Sequence, residues 1–235
     1  MPTMLNPRKP DAEDPIINIE AAAGFVRRLT HDVRNTLNAL DLQLLLLESG
    51  DPVVKQGIDE ARQMITVEAR RLARVSSQFQ VPEAQWVEYP VDELFQDLLP
   101  RMQKRFAKCM LRVAWPESVL GDLVKIDFEL FAELFSELLL NALDHGACEG
   151  KVKVEIVRQA EAVMVLLTES LAQPKGDPAD WGVVPFHPTA QGGYGLGLFY
   201  GRRLAQAMEL ELDFHYQAEN ALLTTALALP IVGAR

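Results

Sequence analysis

Three short strings place polar side chains at spacings suited to phosphoryl chemistry. The first is His31-Asp32-Val33-Arg34-Asn35-Thr36-Leu37-Asn38. Helical spacing sets His31 off the apolar stripe, on the side of Arg27, Arg28, Asp32, Arg34, Asn35 and Asn38, so a solvent-facing imidazole is expected. A histidine on a helix surface is most often only solvated; its neighbours raise this one to a candidate. A neutral imidazole is a competent nucleophile toward a phosphoryl group. Asp32 can accept or orient the ring proton. Asn35, one turn on, offers an amide to hold a water or a phosphoryl oxygen. The second string runs from Glu137 through Asn141 to His145, late on a leucine-rich helix. Such a helix is core by default, so its polar exceptions carry the information. Glu137 and Asn141 share one face, and a carboxylate beside an amide oxygen suits Mg²⁺, which prefers a few oxygen ligands plus phosphates. The third is Gln191-Gly192-Gly193-Tyr194-Gly195-Leu196-Gly197-Leu198, opening a helix. Glycines let backbone N–H groups approach phosphate closely, and a helix N-terminus favours anions.

These strings need elements to hold them. Residues from about Ile17 to Glu48 read as one helix roughly 45 Å long, with the stripe Phe25, Leu29, Val33, Leu37, Leu40, Leu44, Leu47. Ser49-Gly50-Asp51-Pro52 ends it and starts the next. The second helix, Val53 to about Gln80, carries Ile58, Ala61, Ile65, Glu68, Leu72, Val75 and Phe79, a heptad-like seam interrupted by Glu68. Two helices joined this closely are antiparallel neighbours, and a second copy would complete a four-helix bundle. Burial alone therefore predicts a homodimer.

After a linker at 81–85 the pattern changes. Strands are expected near Gln85–Tyr89, Leu111–Ala114, Lys151–Val157, Val163–Thr168, Glu211–Tyr216 and Leu222–Leu229, and helices near Val91–Lys108, Phe128–Asp144 and Gly195–Met208. Lys151 to Ile156 alternates charged and apolar residues, as a half-exposed strand does. Gln217-Ala218-Glu219-Asn220 reads as a hairpin turn. Paired strands with helices on one face make an α+β sandwich. The domains are thus a disordered arm over 1–16, a hairpin over 17–80, the linker, and a unit over 86–235.

Composition narrows the function classes. Apolar residues are 49% and charged residues 24%, an ordinary globular profile. The net charge of −10 opposes phosphate backbones and anionic membrane surfaces, so no nucleic-acid or membrane role is expected. Cys109 and Cys148 form no ligand cluster or disulfide framework, which points to a reducing cytoplasm.

The first string resembles the phosphoacceptor box of bacterial two-component sensor histidine kinases, His-Glu/Asp-x-x-Asn/Thr-Pro-Leu, with Thr36 where that family has proline. The second resembles the asparagine box of the kinase ATPase domain. The third, preceded by Pro185-Phe186-His187-Pro188-Thr189, resembles the phenylalanine box and second glycine box. Order and spacing match across about 200 residues. The resemblance implies an N-terminal antiparallel hairpin forming a dimeric four-helix bundle, followed by a kinase-type ATPase α/β sandwich. It implies His31 as phosphoacceptor, Asp32 as its base and Asn35 as a transfer or phosphatase residue. It implies Glu137, Asn141, His145, Gly193, Gly195 and Gly197 around ATP, with Asn141 on Mg²⁺.

The first glycine box, Asp-x-Gly-x-Gly in that family, departs most. The strand Val163–Thr168 leads into Glu169-Ser170-Leu171-Ala172-Gln173. Glu169 replaces the adenine-reading aspartate, one methylene longer, and Leu171 and Gln173 replace both glycines. Overpacking of ~1–3 kcal/mol translates into roughly a five- to hundred-fold weaker nucleotide. Three readings follow. The chain is an ATP-dependent kinase passing phosphoryl from His31 to a response regulator receiver domain, signalled by another protein. Alternatively it is a phosphotransfer protein with a vestigial nucleotide site, loaded by an upstream kinase or other partner. Or it is a module that only binds receivers.

Overall fold

The computed structural model describes residues 19–45, 47, 52–79, 82–116, 121–145, 151–174, 176–185 and 195–233. The arm expected over 1–16 lies outside them. The chain divides into two compact units, Met1–Gln80 and Val81–Arg235.

The first unit is a helical hairpin of α1 (Ile19–Leu45) and α2 (Pro52–Ser77). Pro52 opens α2, where a missing N–H costs no hydrogen bond. Arg62 Nε donates to Asp41 Oδ1 at 2.8 Å and fixes the pairing of the two helices. The helices cover each other incompletely. Val33, Leu37, Leu44, Ile58, Ile65 and Leu72 are half-buried, whereas Leu29, Leu40, Leu42, Leu45, Met64 and Val67 are exposed.

The second unit is α+β. Its elements are β1 (Val87–Pro90), α3 (Val91–Phe106), β2 (Val113–Ala114), β3 (Leu123–Ile126), α4 (Phe128–His145), β4 (Val152–Arg158), β5 (Ala162–Ser170), α5 (Gly197–Ala207), β6 (Glu211–Gln217) and β7 (Leu222–Pro230). Five strands form one sheet in the order β2-β4-β5-β7-β6. Only β2 and β4 run parallel; the other pairs are antiparallel. β1 and β3 form a separate two-stranded ribbon.

Alternation decides which sheet face is buried. Val163, Val165 and Leu167 on β5 stand beside Leu229, Leu227 and Thr225 on β7, all on the face that packs under the helices. The helices close this core with Leu94, Phe95, Leu98, Phe131, Leu134, Phe135, Leu139 and Leu204. Phe95, Trp115, Phe131 and Phe135 interlock across α3 and α4, Phe95 meeting Phe135 edge-on at 6.2 Å and Trp115 meeting Phe135 at 5.6 Å.

Two boundaries differ from expectation. The strand expected at Leu111–Ala114 shrinks to Val113–Ala114, because Met110–Arg112 turns as a 3₁₀ helix that leaves Leu111 exposed. β3 was not expected; it is four residues long, too short for its alternation to stand out. It delivers Asp127, which caps α4: Oδ1 accepts from Leu130 N at 3.1 Å. Oδ2 accepts from Gln85 N at 2.7 Å, and Ala84 packs on the core, so the end of the 81–85 segment belongs to the second unit. Among the described residues no helix is long and apolar enough to cross a membrane.

The aromatic interlock yields a stability prediction. Phe135→Ala should cost about 3–5 kcal/mol, as for large aromatics removed from a closed core. Urea unfolding followed by tryptophan fluorescence measures it; a loss under 1 kcal/mol would contradict the packing.

Candidate functional site

The first candidate centre sits on α1. His31 and Asp32 side chains are 73% and 78% exposed. Asp32 Oδ1 lies 3.3 Å from His31 Nδ1, and Asn35 Nδ2 lies 3.3 Å from the same nitrogen. Nδ1 cannot serve both at once. With a proton on Nδ1 it donates to Asp32 and leaves a lone pair on Nε2; without one it accepts from Asn35 and puts the proton on Nε2. Pairing with Asp32 therefore goes with the tautomer in which Nε2 is nucleophilic, and pairing with Asn35 with the other. Thr36 keeps its backbone N–H, and its hydroxyl donates to the Asp32 carbonyl at 3.1 Å. α1 accordingly runs unbroken through the position where the resembling family carries proline.

The second candidate centre grows from α4 in the other unit. Glu133, Glu137 and Asn141 fall at successive four-residue steps along one edge. Each meets a specific neighbour or is set up to do so. Tyr200 donates its hydroxyl to Glu133 Oε2 at 2.6 Å. Glu137 is buried; its Oε1 accepts from Arg105 at 3.2 Å, and its Oε2 would be 3.2 Å from a Cβ on Gly197. Moving toward the C-terminus of α4, from 133 to 137, thus moves toward the N-terminus of α5, from 200 to 197. Half-buried Asn141 lies one further turn along the same edge of α4, and a helix N-terminus such as that of α5 favours an anion. Gly195, with φ of 65°, makes the turn into that helix.

The third contribution is Glu169, at the end of β5. It continues the buried parity of Val163, Val165 and Leu167 and is 3% exposed. Its Oε2 has no hydrogen-bond partner. Burial pushes its carboxyl up to about 8, against the opposing pull of Arg112. Arg112 also donates to the Leu143 carbonyl on the last turn of α4, at 3.3 Å, which ties Glu169 to the neighbourhood of Asn141.

The segment after Glu169 is stitched to the sheet. Leu171 N donates to Ala221 O at 2.8 Å, Tyr216 donates to Ala172 O at 2.9 Å, and Leu171 packs against the core. Arg202 then gathers the next stretch: its guanidinium donates to the carbonyls of Trp181, Ala179 and Leu212 and lies over Phe214. Gly182, with φ of 74°, meets the backbone of Leu198 so closely that a Cβ would stand 2.5 Å from its carbonyl oxygen.

The α4 edge therefore brings Glu137 against Gly197, with Asn141 one turn further on, and Arg112 acts both on Glu169 and on the Leu143 carbonyl of the same helix. His31, Asp32 and Asn35 form a centre of their own in the hairpin. Gly193 and the side chain of His145 lie outside the described residues. Arg105 and Arg202 were missed in the sequence, because each acts on residues distant along the chain. Among the described residues no group of three or more His, Cys, Asp or Glu side chains converges on a metal position. The donors fit a Mg²⁺ that arrives with phosphates, through the Asn141 amide oxygen, rather than a resident metal. The orphaned Oε2 of Glu169 and the close approach at Gly197 fit a nucleotide.

The comparisons bear on this arrangement. No protein-family model matches the sequence. Over 221 residues, 86% of the chain, it is 27% identical to the bacteriophytochrome of Pseudomonas aeruginosa, and it spans 29% of that protein's length. Full-length ShkA in complex with AMPPNP superposes with a TM-score of 0.66 at 17% identity, over 89% of this chain and 46% of that one. The catalytic domain of histidine kinase ThkA superposes at 0.51 and 16% identity, over 63% of this chain and 96% of that one. Acinetobacter baumannii histidine kinase AdeS superposes at 0.50 and 16% identity, over 86% of this chain and 98% of that one.

The ion pair at Glu137 can be tested directly. Arg105→Met should destabilise the second unit by about 1–3 kcal/mol, because it takes a charged hydrogen-bond donor away from a buried carboxylate. Adding Glu137→Gln should recover part of that loss. Independent, additive losses in a denaturant double-mutant cycle would remove the interaction from the argument.

Proposed function

We propose that this chain, which has the fold of the sensor histidine kinases, is a two-component signal-transduction kinase that autophosphorylates His31 and passes the phosphoryl group to a response regulator. The observation that carries the reading is the α4 edge, where Glu137 lies against the start of α5 and Asn141 follows one turn further along the same face. It supports a triphosphate site on the same fold that, in ShkA, was solved with AMPPNP.

The residues divide the work. Asn141 would hold Mg²⁺, which neutralises charge on the phosphates when bound. Gly195 and Gly197 let the backbone at the start of α5 approach those phosphates. Asp32 keeps the ring proton on Nδ1. The Nε2 lone pair of His31 then attacks the γ-phosphorus, the bond to the bridging oxygen breaks, and ADP leaves with that electron pair. The Nδ1 proton passes to Asp32, so phosphohistidine is left neutral at the ring. An aspartate of a receiver domain next takes the phosphoryl group, and Asn35 is positioned to orient a water or phosphoryl oxygen there.

The exposed leucines of α1 and the exposed Met64 and Val67 of α2 support a homodimer through the hairpin. A cytoplasmic setting and an upstream sensor or kinase belong to the same reading; the acidic charge speaks against nucleic acid.

A second reading has its own support. Leu171, where the resembling family has glycine, packs into the core. A chain so altered could receive phosphoryl from a partner's aspartyl phosphate and dispense with ATP.

Two outcomes are expected. Purified protein with γ-labelled ATP and Mg²⁺ should acquire acid-labile, alkali-stable label, and His31→Ala should abolish it without loss of fold. Label that appears only when a phosphorylated receiver is supplied would favour the second reading; label persisting in His31→Ala would move the acceptor elsewhere. Sedimentation equilibrium at micromolar concentration should give a dimer, and a monomer would refute the hairpin interface.

A further inference from the structure

Glu169 is a buried carboxyl whose Oε2 has no hydrogen-bond partner among the described residues. It shares the covered face of β5 with Val163, Val165 and Leu167. Leu223 stands beside it across the ladder, and Leu171 packs on the core just beyond it. Arg112, from the turn before β2, is the charged group among the described residues that acts on it, and that guanidinium is also turned to the Leu143 carbonyl of α4. β7 contributes only apolar Leu223 at this level.

A carboxyl in such surroundings avoids charge. Its neutral form differs from a carboxylate in more than charge. It offers one acceptor and one donor side by side, where the carboxylate offers acceptors only. The edge that complements this pair has a donor beside an acceptor in one plane. Adenine presents N6–H beside N1, and guanine presents N1–H beside O6. A carboxylate would instead set an oxygen lone pair against adenine N1.

We propose that Glu169 meets the Watson–Crick edge of a purine nucleotide as a neutral carboxylic acid, donating and accepting at once, and so takes adenine and guanine with little preference. This rests on the nucleotide site proposed above and names what that site recognises. The direction of the carboxyl's titration agrees, since burial raises it from 4.5 to about 8. The extra methylene of glutamate and the apolar rim of Leu171 and Leu223 then work together: the rim keeps the acid neutral, and neutrality makes it a two-way reader.

Glutamine keeps a donor–acceptor pair at every pH, so Glu169→Gln is the decisive variant. Calorimetry on the full chain with Mg²⁺ would compare ATP, GTP and base-free tripolyphosphate at pH 7.0, then ATP and tripolyphosphate at pH 9.5. At pH 7.0 the wild type should bind ATP and GTP within about threefold of each other. Between pH 7.0 and 9.5 its ATP affinity, corrected for tripolyphosphate, should fall roughly thirty-fold, the drop in the neutral fraction of a group titrating near 8. Glu169→Gln, which cannot ionise, should show no such fall in its tripolyphosphate-corrected ATP affinity. A wild type as flat with pH as the variant, or a variant whose affinity falls with pH as steeply as the wild type's, would overturn the inference while leaving the nucleotide site standing. Failure of both proteins to bind ATP at either pH would overturn the site and the inference together.

A ligand-free measurement stands beside it. The folded chain holds this proton more tightly than the unfolded chain. Wild-type stability relative to Glu169→Gln should therefore fall as pH rises from 4.5 to about 8 and stay level above. A difference in melting temperature that does not change with pH would mean the carboxyl is not buried as a neutral acid.

Discussion

A helix buried in an apolar core that must still carry polar groups sets the terms for the second unit. α4 is covered through Phe131, Leu134, Phe135, Leu138, Leu139 and Ala142, yet it carries Glu133, Glu137 and Asn141 along one edge. A carboxylate persists in that setting only with partners. Glu137 finds Arg105 at the end of α3 and the first residue of α5, and Glu133 finds Tyr200. These contacts cannot all be made unless α3 and α5 approach α4 at fixed heights. Satisfying Glu137 therefore also sets where the N-terminus of α5 points. Gly197 follows as a steric requirement, because a side chain there would press on the Glu137 carboxylate.

The hairpin answers the opposite requirement. The proposed phosphoacceptor must be open to a donor and a recipient in turn, so its positioning cannot come from burial. At His31 it comes from short-range contacts on one helix face, with Asp32 adjacent and Asn35 one turn on. Their competition for Nδ1 makes the ring's tautomer adjustable by small side-chain movements rather than locked. Thr36 keeps a backbone donor in the same turn, and its hydroxyl bonds back to the Asp32 carbonyl.

Legibility in the sequence followed the range of the interaction. The stripes of α1 and α2 and the alternation of β4, β5 and β7 are periodic, and their element types could be read directly. His31, Asp32 and Asn35 were legible because they meet within one turn. The parity of Val163, Val165 and Leu167 extends to Glu169, so even its burial was implicit in the pattern. Arg105 was not legible, since its partner is 32 residues away and nothing local marks it. Nor was Arg202, whose three carbonyls lie on the loop around residue 180 and on β6. β3 was hidden by its brevity, although the Asp127 it presents is an ordinary helix cap. The 3₁₀ turn at Met110–Arg112 had the composition of a strand and lost to the turn that places Arg112 near Leu143.

The departures from the resembling family's pattern are concentrated at one end of the nucleotide site. Around Asn141, Glu137 and Gly197 the polar edge and close approach are kept. Around Glu169, Leu171 packs against the core, the strand ladder is extended by the Leu171–Ala221 bond, and Tyr216 holds the next carbonyl. Arg202 and Gly182 continue the tethering to the first turns of α5. Phosphate recognition depends on backbone N–H groups and charge and tolerates such changes. Base recognition depends on shape at one strand end and does not. In the proposed nucleotide site, such changes would leave affinity to the triphosphate and give the base a smaller share, loosening selectivity before binding. Glutamate in place of aspartate fits that division, because a longer acid in an apolar rim can keep a hydrogen bond to the base even as the pocket around it closes.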